Sequence, residues 1–286
     1  MVLLSITITA KNEAPVIDKV LNNLVEQLND LNYEMILIDN WSTDNTFQLL
    51  KKYENEYIKV FRYKGSKGSA RNFALKNADG KYVMALDADQ IYLNLDKFLK
   101  DYFSTYSSYA VKIGRSSFPI ISPKELLMNV GGWRDLQFGE DWDLWFRLAE
   151  ACKYVYLADY DWVFGEHIRD HKNNYSSIIS RIRKYMIKYR DLYIVGLPVY
   201  SQNIYDKFFY RLGRVLSFFN SEKKIVYNCT KYLEMPIDKM GSEIDWDLQF
   251  HYNLIKYQLL TCKNKTIFLE ILSKIDNYLK RNYGIM

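Results

Sequence analysis

Proline and glycine are scarce. Five prolines and twelve glycines in 286 residues, beside abundant Tyr, Ile, Leu and Lys, give the composition of a folded protein and argue against long disordered segments. Cysteine is scarcer still. Cys152, Cys229 and Cys262 are odd in number and widely spaced, which yields no metal-ligand pattern and suits a reducing compartment. No apolar run approaches the roughly 18 residues that a membrane span needs. The start, Met1 to Ile6, has neither a basic n-region nor a small-residue cleavage site. These absences set the expectation of a soluble or peripheral protein on the cytoplasmic side of a membrane. A phosphate-cradling loop is missing as well: the glycines between Lys64 and Ser69 fit neither a dinucleotide fingerprint nor a loop ending in Gly-Lys-Ser/Thr.

No single sign of charge dominates the whole chain, whose net charge is +5, but the halves differ. Residues 1–171 hold 20 Lys and Arg against 24 Asp and Glu, while residues 172–286 hold 19 against 10. The basic C-terminal part suggests an anionic partner.

What is present is alternation. Leu3 to Thr9 reads as a strand that stops at Ala10-Lys11-Asn12-Glu13, and Pro15 then opens a helix with a stripe of Val16, Val20, Leu24 and Leu28. Met35 to Ile38 is a second strand, ending at Asp39-Asn40, after which Ser42-Thr43-Asp44 is expected to cap a short helix. Ile58 to Tyr63 is a third strand, followed by a loop and a helix through Ala70 and Leu75. The fourth, Tyr82 to Leu86, ends in Asp87-Ala88-Asp89. Side chains at i and i+2 of an extended chain point the same way, so both carboxylates can face one hard cation or one ligand. Strand–helix alternation implies a mostly parallel sheet, and such sheets bind ligands at the carboxyl ends of their strands.

Further on, helix is expected over Asp96 to Tyr106, strand over Tyr109 to Gly114, and a strand end with a short helix over Ile120 to Val130, closing on Gly131-Gly132-Trp133. Gly139-Glu140-Asp141 precedes an apolar helix, where a macrodipole would favour carboxylates even without chemistry. Lys153 to Leu157 and Val163 to His167 read as strands. After His171 the alternation stops, and residues 173 to 195 form an amphipathic basic helix followed by others around 203–219, 246–262 and 266–281. The expected organisation is an α/β domain over 1–171 and a basic helical extension over 172–286, serving as lid, acceptor platform or membrane dock.

From about Ser5 to His171 these motifs, in this order, resemble the inverting family 2 glycosyltransferases of the GT-A fold. Thr9-Ala10-Lys11-Asn12-Glu13 is similar to the family's first-strand exit, and Leu37-Ile38-Asp39-Asn40-Trp41-Ser42-Thr43-Asp44-Asn45-Thr46 to its base-contacting segment. Gly68-Ser69-Ala70-Arg71-Asn72 through Asp87-Ala88-Asp89 is similar to its run into the Asp-X-Asp motif, and Gly131-Gly132-Trp133 with Gly139-Glu140-Asp141 to its acceptor-side block. Asn40 stands where the family has a second Asp and Trp41 where it has a small residue, which bears on the choice of donor base.

The resemblance implies a GT-A, Rossmann-like sheet and a transferase moving sugar from a nucleoside diphosphate sugar to a hydroxyl of a glycan or lipid-linked acceptor. It implies donor contacts from Ala10, Asn12, Glu13, Asp39, Asn40, Arg71, Asp87, Ala88 and Asp89. Acceptor contacts would come from Gly132, Trp133 and Glu140. Mn²⁺ or Mg²⁺ would lie on Asp89 and Asp87, with His167 favoured over His171 as a further ligand, and Asp141 would be the general base beside Glu140. A nucleotidyltransferase is the enzymatic rival, but it should carry a Gly-rich loop after the first strand, and Ala10 to Glu13 is not one. A nucleotide-sugar-binding module without turnover is the other. Arg181, Lys184, Lys188, Arg211 and Arg214 among aromatic and aliphatic residues suggest an anionic membrane surface as a partner. No nucleic-acid motif is present and no such partner is expected.

Overall fold

The computed structural model describes residues 2–28, 31–114, 119–168, 178–197, 204–233 and 246–284. In chain order the first half gives β1 (Leu4–Ala10), α1 (Ile17–Leu28), β2 (Tyr33–Asp39), α2 (Thr46–Lys51), β3 (Ile58–Arg62), α3 (Lys67–Asn77), β4 (Tyr82–Leu86), β5 (Gln90–Tyr92) and α4 (Leu95–Asp101). Then follow β6 (Ala110–Ile113), β7 (Ile120–Pro123), α5 (Lys124–Asn129), α6 (Glu140–Glu150), β8 (Tyr154–Leu157) and β9 (Phe164–His167). The C-terminal part is helical: α7 (Ile178–Val195), α8 (Ile204–Ser217), α9 (Thr230–Leu233), α10 (Trp246–Thr261) and α11 (Thr266–Tyr283).

Among the described residues, seven strands form one sheet in the order β3-β2-β1-β4-β7-β6-β8. All run parallel except β7, which pairs antiparallel with both β4 and β6. This is the mostly parallel, helix-flanked sheet expected from the alternation. The central strands are apolar on both faces because helices cover both. On one of those helices, α1, Ile17, Val20, Leu21, Leu24 and Leu28 are fully buried. Burying each such side chain stabilises by about 1.5–3 kcal/mol. Register then builds the site. Ala10 pairs with Asp39 and Asp39 with Arg62, so β1, β2 and β3 end level, and β4 ends opposite Ile8 on the same edge. The loops 10–13, 39–42 and 87–89 therefore leave the sheet side by side.

Some local expectations change. α2 starts at Thr46, after Ser42-Thr43: Asp44 Oδ1 accepts from Thr46 N at 3.0 Å, while Ser42 and Thr43 bind Asn12 instead. β5 was not foreseen, because three residues are too short for a period-2 pattern; it pairs with β9 in a separate two-stranded sheet.

The cysteines also depart from the expectation of reduced thiols. Cys152 and Cys262 form a disulfide with Cα atoms 5.9 Å apart, while Cys229 is free and buried. The partners are 110 residues apart, and the packing of α10 on α6 and β8 brings them together. The same packing covers the sheet edge: Gln258 Oε1 accepts from Tyr154 N at 3.1 Å and Gln258 Nε2 donates to Tyr154 O at 2.9 Å, filling the backbone sites of an outer strand. Leu254, Ile255, Phe268, Ile271 and Ile275 share one apolar core with the sheet. The expected division at 171/172 falls outside the described residues. No helix among the described residues is long and apolar enough to cross a membrane.

Candidate active site

Loop-to-loop hydrogen bonds fix the edge of the sheet. Asn12, in a left-handed conformation (φ 58°) that asparagine tolerates better than most residues, accepts from Thr43 N at 2.8 Å on Oδ1. Its backbone N donates to Ser42 Oγ at 2.9 Å, and Glu13 N donates to Thr46 Oγ1 at 2.8 Å. Asp39 is fully buried; its carboxylate lies 3.1 Å from Arg62 Nε and accepts from Ser42 N at 3.2 Å, so it braces the loop. Ala10, also buried, accepts from Asn40 N at 2.8 Å through its carbonyl. Neither Ala10 nor Asp39 lines the adjoining cavity, whose volume is about 610 Å³.

The other expected donor-side residues do line that cavity: Asn12, Glu13, Asn40, Arg71, Asp87, Ala88 and Asp89. His167 joins them, since β9 sets it opposite Gln90 and Ile168 N donates to Asp89 O at 3.0 Å. His171 lies outside the described residues. Sequence reasoning missed Lys11, Lys67 and Gln137 in the cavity wall, and it read Lys184 only as a basic-helix residue although that side chain also lines the cavity. Lys67 could have been suspected from its place one turn before Arg71 on α3. Gln137 and Lys184 carry no local signal.

Arg71 is the junction of the site. It is only 7% exposed, and Nη1 lies 2.7 Å from Glu140 Oε1 and 2.6 Å from Asp141 Oδ1, while Nη2 lies 3.7 Å from Asp87 Oδ1. Trp133 Nε1 donates to Asp141 Oδ1 at 3.0 Å, and Lys67 Nζ lies 3.6 Å from Glu140 Oε1. Carboxylates from β4's exit and from the first turn of α6 thus meet on one guanidinium at the cavity edge. Burial, together with the charge of Asp141, pushes the Glu140 carboxyl up to about 7 against the pull of Arg71. Burial likewise raises Asp87 to about 6; Arg71 opposes this shift and Asp89 reinforces it. Burial works against the charge on Arg71, but Asp141, Glu140 and Asp87 outweigh it and raise its pKa.

Two glycines permit this convergence. A Cβ on Gly68 would stand 1.9 Å from the Arg134 carbonyl oxygen, so only glycine lets α3 approach the loop before α6. Gly132 has φ +62°, and a Cβ there would meet Asn72 Oδ1 at 2.1 Å. Of the expected acceptor residues, Gly132 packs against α3 and Trp133 is buried against Asp141, while Glu140 sits on Arg71. Asp143, one turn into α6, is fully buried among Arg134, Arg147 and Tyr227 and serves the framework.

Among the described residues, no three His, Cys, Asp or Glu side chains form a ready-made metal cage. Asp89 Oδ2 and His167 Nε2 face each other at 3.8 Å on the cavity wall. A carboxylate oxygen beside an imidazole is a donor pair that could hold a divalent cation.

Several known proteins are similar to this chain. Residues 5–102 match the family described as Glycosyl transferase family 2. Poly(ribitol-phosphate) beta-N-acetylglucosaminyltransferase TarS of Staphylococcus aureus is 35% identical over 106 residues, which is 35% of this chain and 18% of that protein. UDP-Glc:alpha-D-GlcNAc-diphosphoundecaprenol beta-1,3-glucosyltransferase WfaP of Escherichia coli is 32% identical over 121 residues, 39% of this chain and 48% of that protein. The chain therefore spans less than half the length of either relative. The crystal structure of S. aureus TarS 1–349 in complex with UDP superposes over 99% of this chain and 91% of that one, with a TM-score of 0.51 and 19% identity. Mannosyltransferase PcManGT from Pyrobaculum calidifontis, in complex with GDP-Man and Mn²⁺, matches over 98% and 81% with a TM-score of 0.52 and 15% identity. These two likenesses establish the fold.

Proposed function

We propose, from the match of residues 5–102 to the family described as Glycosyl transferase family 2, that this chain is a member of it and transfers a sugar from a nucleoside diphosphate sugar to an acceptor hydroxyl with inversion at the anomeric carbon. The observation that carries the reading is the meeting of Asp87, Glu140 and Asp141 on the buried Arg71 at the edge of a cavity that Asp89 also lines. The acceptor oxygen attacks C1 opposite the diphosphate, and the C1–oxygen bond breaks with its electron pair leaving on the phosphate. The acceptor proton passes to Asp141. Arg71 and Trp133 hold that carboxylate in place. Glu140 orients Asp141 and the acceptor. Lys11, Lys67 and Lys184 supply positive charge to the cavity wall, where a diphosphate would gain a negative charge. When bound, Mn²⁺ or Mg²⁺ supplies Lewis-acid stabilisation of the leaving phosphate, and Asp89, Asp87 and His167 would hold it.

The proposed acceptor is a glycan, free or lipid-linked, a reading supported by the names of TarS and WfaP. The proposed seat is the cytoplasmic face of a membrane, peripherally bound. In a reducing compartment the Cys152–Cys262 bond would open to two apposed thiols, so its state in protein taken directly from cells reports where the chain works. The test is turnover of a panel of nucleoside diphosphate sugars with Mn²⁺ and after chelation, in the wild type and in Asp141→Asn. Asp141→Asn should lose about 10²–10⁴-fold in turnover while still binding donor. Wild-type turnover in that variant would remove Asp141 from the chemistry.

A further inference from the structure

α8 carries its apolar stripe on the outside, where a surface helix ordinarily turns its polar face. Its inward face packs on α7: Phe209 lies 5.5 Å from the Tyr185 ring, and a Cβ on Gly213 would stand 2.5 Å from the Tyr189 carbonyl carbon. On the opposite side, where charged residues belong, Ile204, Phe208 and Val215 recur at helical spacing and Phe219 continues the stripe past the last turn. They are 75, 60, 54 and 86% exposed. Along one flank run exposed Lys207, Arg211 and Arg214. Among the described residues, the nearby carboxylates lie off this face: Asp206 accepts from the Tyr189 hydroxyl on the inner side and Glu222 is 2.8 Å from Arg134.

We infer that this outer face of α8 lies in the headgroup layer of an anionic lipid bilayer, its aliphatic and aromatic stripe in the acyl boundary and its basic flank on the lipid phosphates. An apolar stripe bordered by cations is the pattern of a helix lying in the interface plane. A second copy of this chain is a poor occupant, because it would bring the same basic flank against itself. A nucleic acid would meet the cations but leave the stripe in water. The identification of the acceptor as lipid-linked rests on the glycosyltransferase reading, whereas the docking face rests on exposure and charge alone. The two connect through α7, which packs on α8 and also gives Lys184 to the cavity wall. Docking would therefore hold the donor cavity near the headgroups.

The experiment is flotation of the full chain with vesicles of phosphatidylcholine alone and of a roughly 3:1 mixture with phosphatidylglycerol, at low and high salt. Binding to the anionic vesicles should exceed binding to neutral ones by at least about tenfold and weaken with salt. It should be lost in Phe208→Glu/Phe219→Glu and reduced in Lys207→Glu/Arg211→Glu; both pairs are solvent-exposed, and circular dichroism checks their fold. Equal binding to both vesicles, no binding, or binding unchanged in both variants overturns the proposal. So does a concentration-dependent dimer, seen by light scattering, that Phe208→Glu/Phe219→Glu abolishes without any vesicle effect. Donor turnover with a water-soluble acceptor, run on the same samples, separates the two readings: vesicle binding without turnover leaves the dock and removes the transferase, and turnover without vesicle binding does the reverse.

Discussion

Replacing Arg71 by Met keeps much of the side-chain volume and removes the charge on which three carboxylates converge. The wild-type guanidinium is 7% exposed and stands 2.7 Å from Glu140, 2.6 Å from Asp141 and 3.7 Å from Asp87. Removing one partner of a buried ion pair costs about 3–5 kcal/mol, because the other is left uncompensated. For a chain of this size that is roughly 10 °C in Tm. The cost must depend on pH, and the acids set its direction. Glu140 is held up to about 7 by burial and Asp141, against an ordinary 4.5. An acid raised on folding binds, in the native state, a proton that the unfolded chain has already lost, so its contribution falls as pH rises between 4.5 and about 7. Without Arg71 the Glu140 carboxyl moves further up, and the loss continues past neutrality. The Arg71→Met penalty should therefore be smaller near pH 5, where Glu140 is protonated in both proteins, and larger near pH 8. Urea unfolding of both proteins at the two pH values, with the disulfide intact, measures it. Glu140→Gln is the control and should reduce the wild-type slope across the same window, leaving the part due to Asp87, which burial raises to about 6. A penalty equal at both pH values, or greater at the lower one, would refute the electrostatic account and leave only lost packing.

Asp89→Ala should abolish the effect of Mn²⁺ on donor binding, measured by calorimetry with and without chelator; an unchanged Mn²⁺ response would take Asp89 out of the proposed metal site. Gly68→Ala should destabilise by about 1–3 kcal/mol, because its Cβ would meet the Arg134 carbonyl oxygen at 1.9 Å. Thermal melts would show it, and a neutral result would mean that α3 can back away from the loop. Reducing the Cys152–Cys262 bond, which closes a stretch of 110 residues, should lower stability by up to about 4–5 kcal/mol. Scanning calorimetry with and without reductant, and on Cys152→Ser/Cys262→Ser, would check that the loss comes from this bond.

The parts of the site that sequence reading reached are those whose neighbours in space are neighbours in the chain. Asp87 and Asp89 follow an apolar run of strand length, so a strand end with paired carboxylates was visible at once. Glu140 and Asp141 follow a glycine and lead an apolar helix, and α6 begins there. Asp39 was read as a ligand contact from its motif, yet its carboxylate is taken up by Arg62 and Ser42 N, partners that only β2–β3 register supplies. Gln137 and Lys184 went unassigned to the cavity for the same reason.

The sequence by itself determined the alternating strands and helices, the mostly parallel sheet they imply and the acidic residues at its carboxyl edge, because hydrophobic period and local turn chemistry are properties of short stretches. Tertiary structure alone decided that Arg71 holds Glu140 and Asp141, that the β5–β9 pair sets His167 beside Asp89, that Cys152 meets Cys262, and that α8 turns its apolar stripe outward. Each of those depends on which surfaces the chain buries against one another, a choice made by the sum of packing over the whole molecule and written in no single segment.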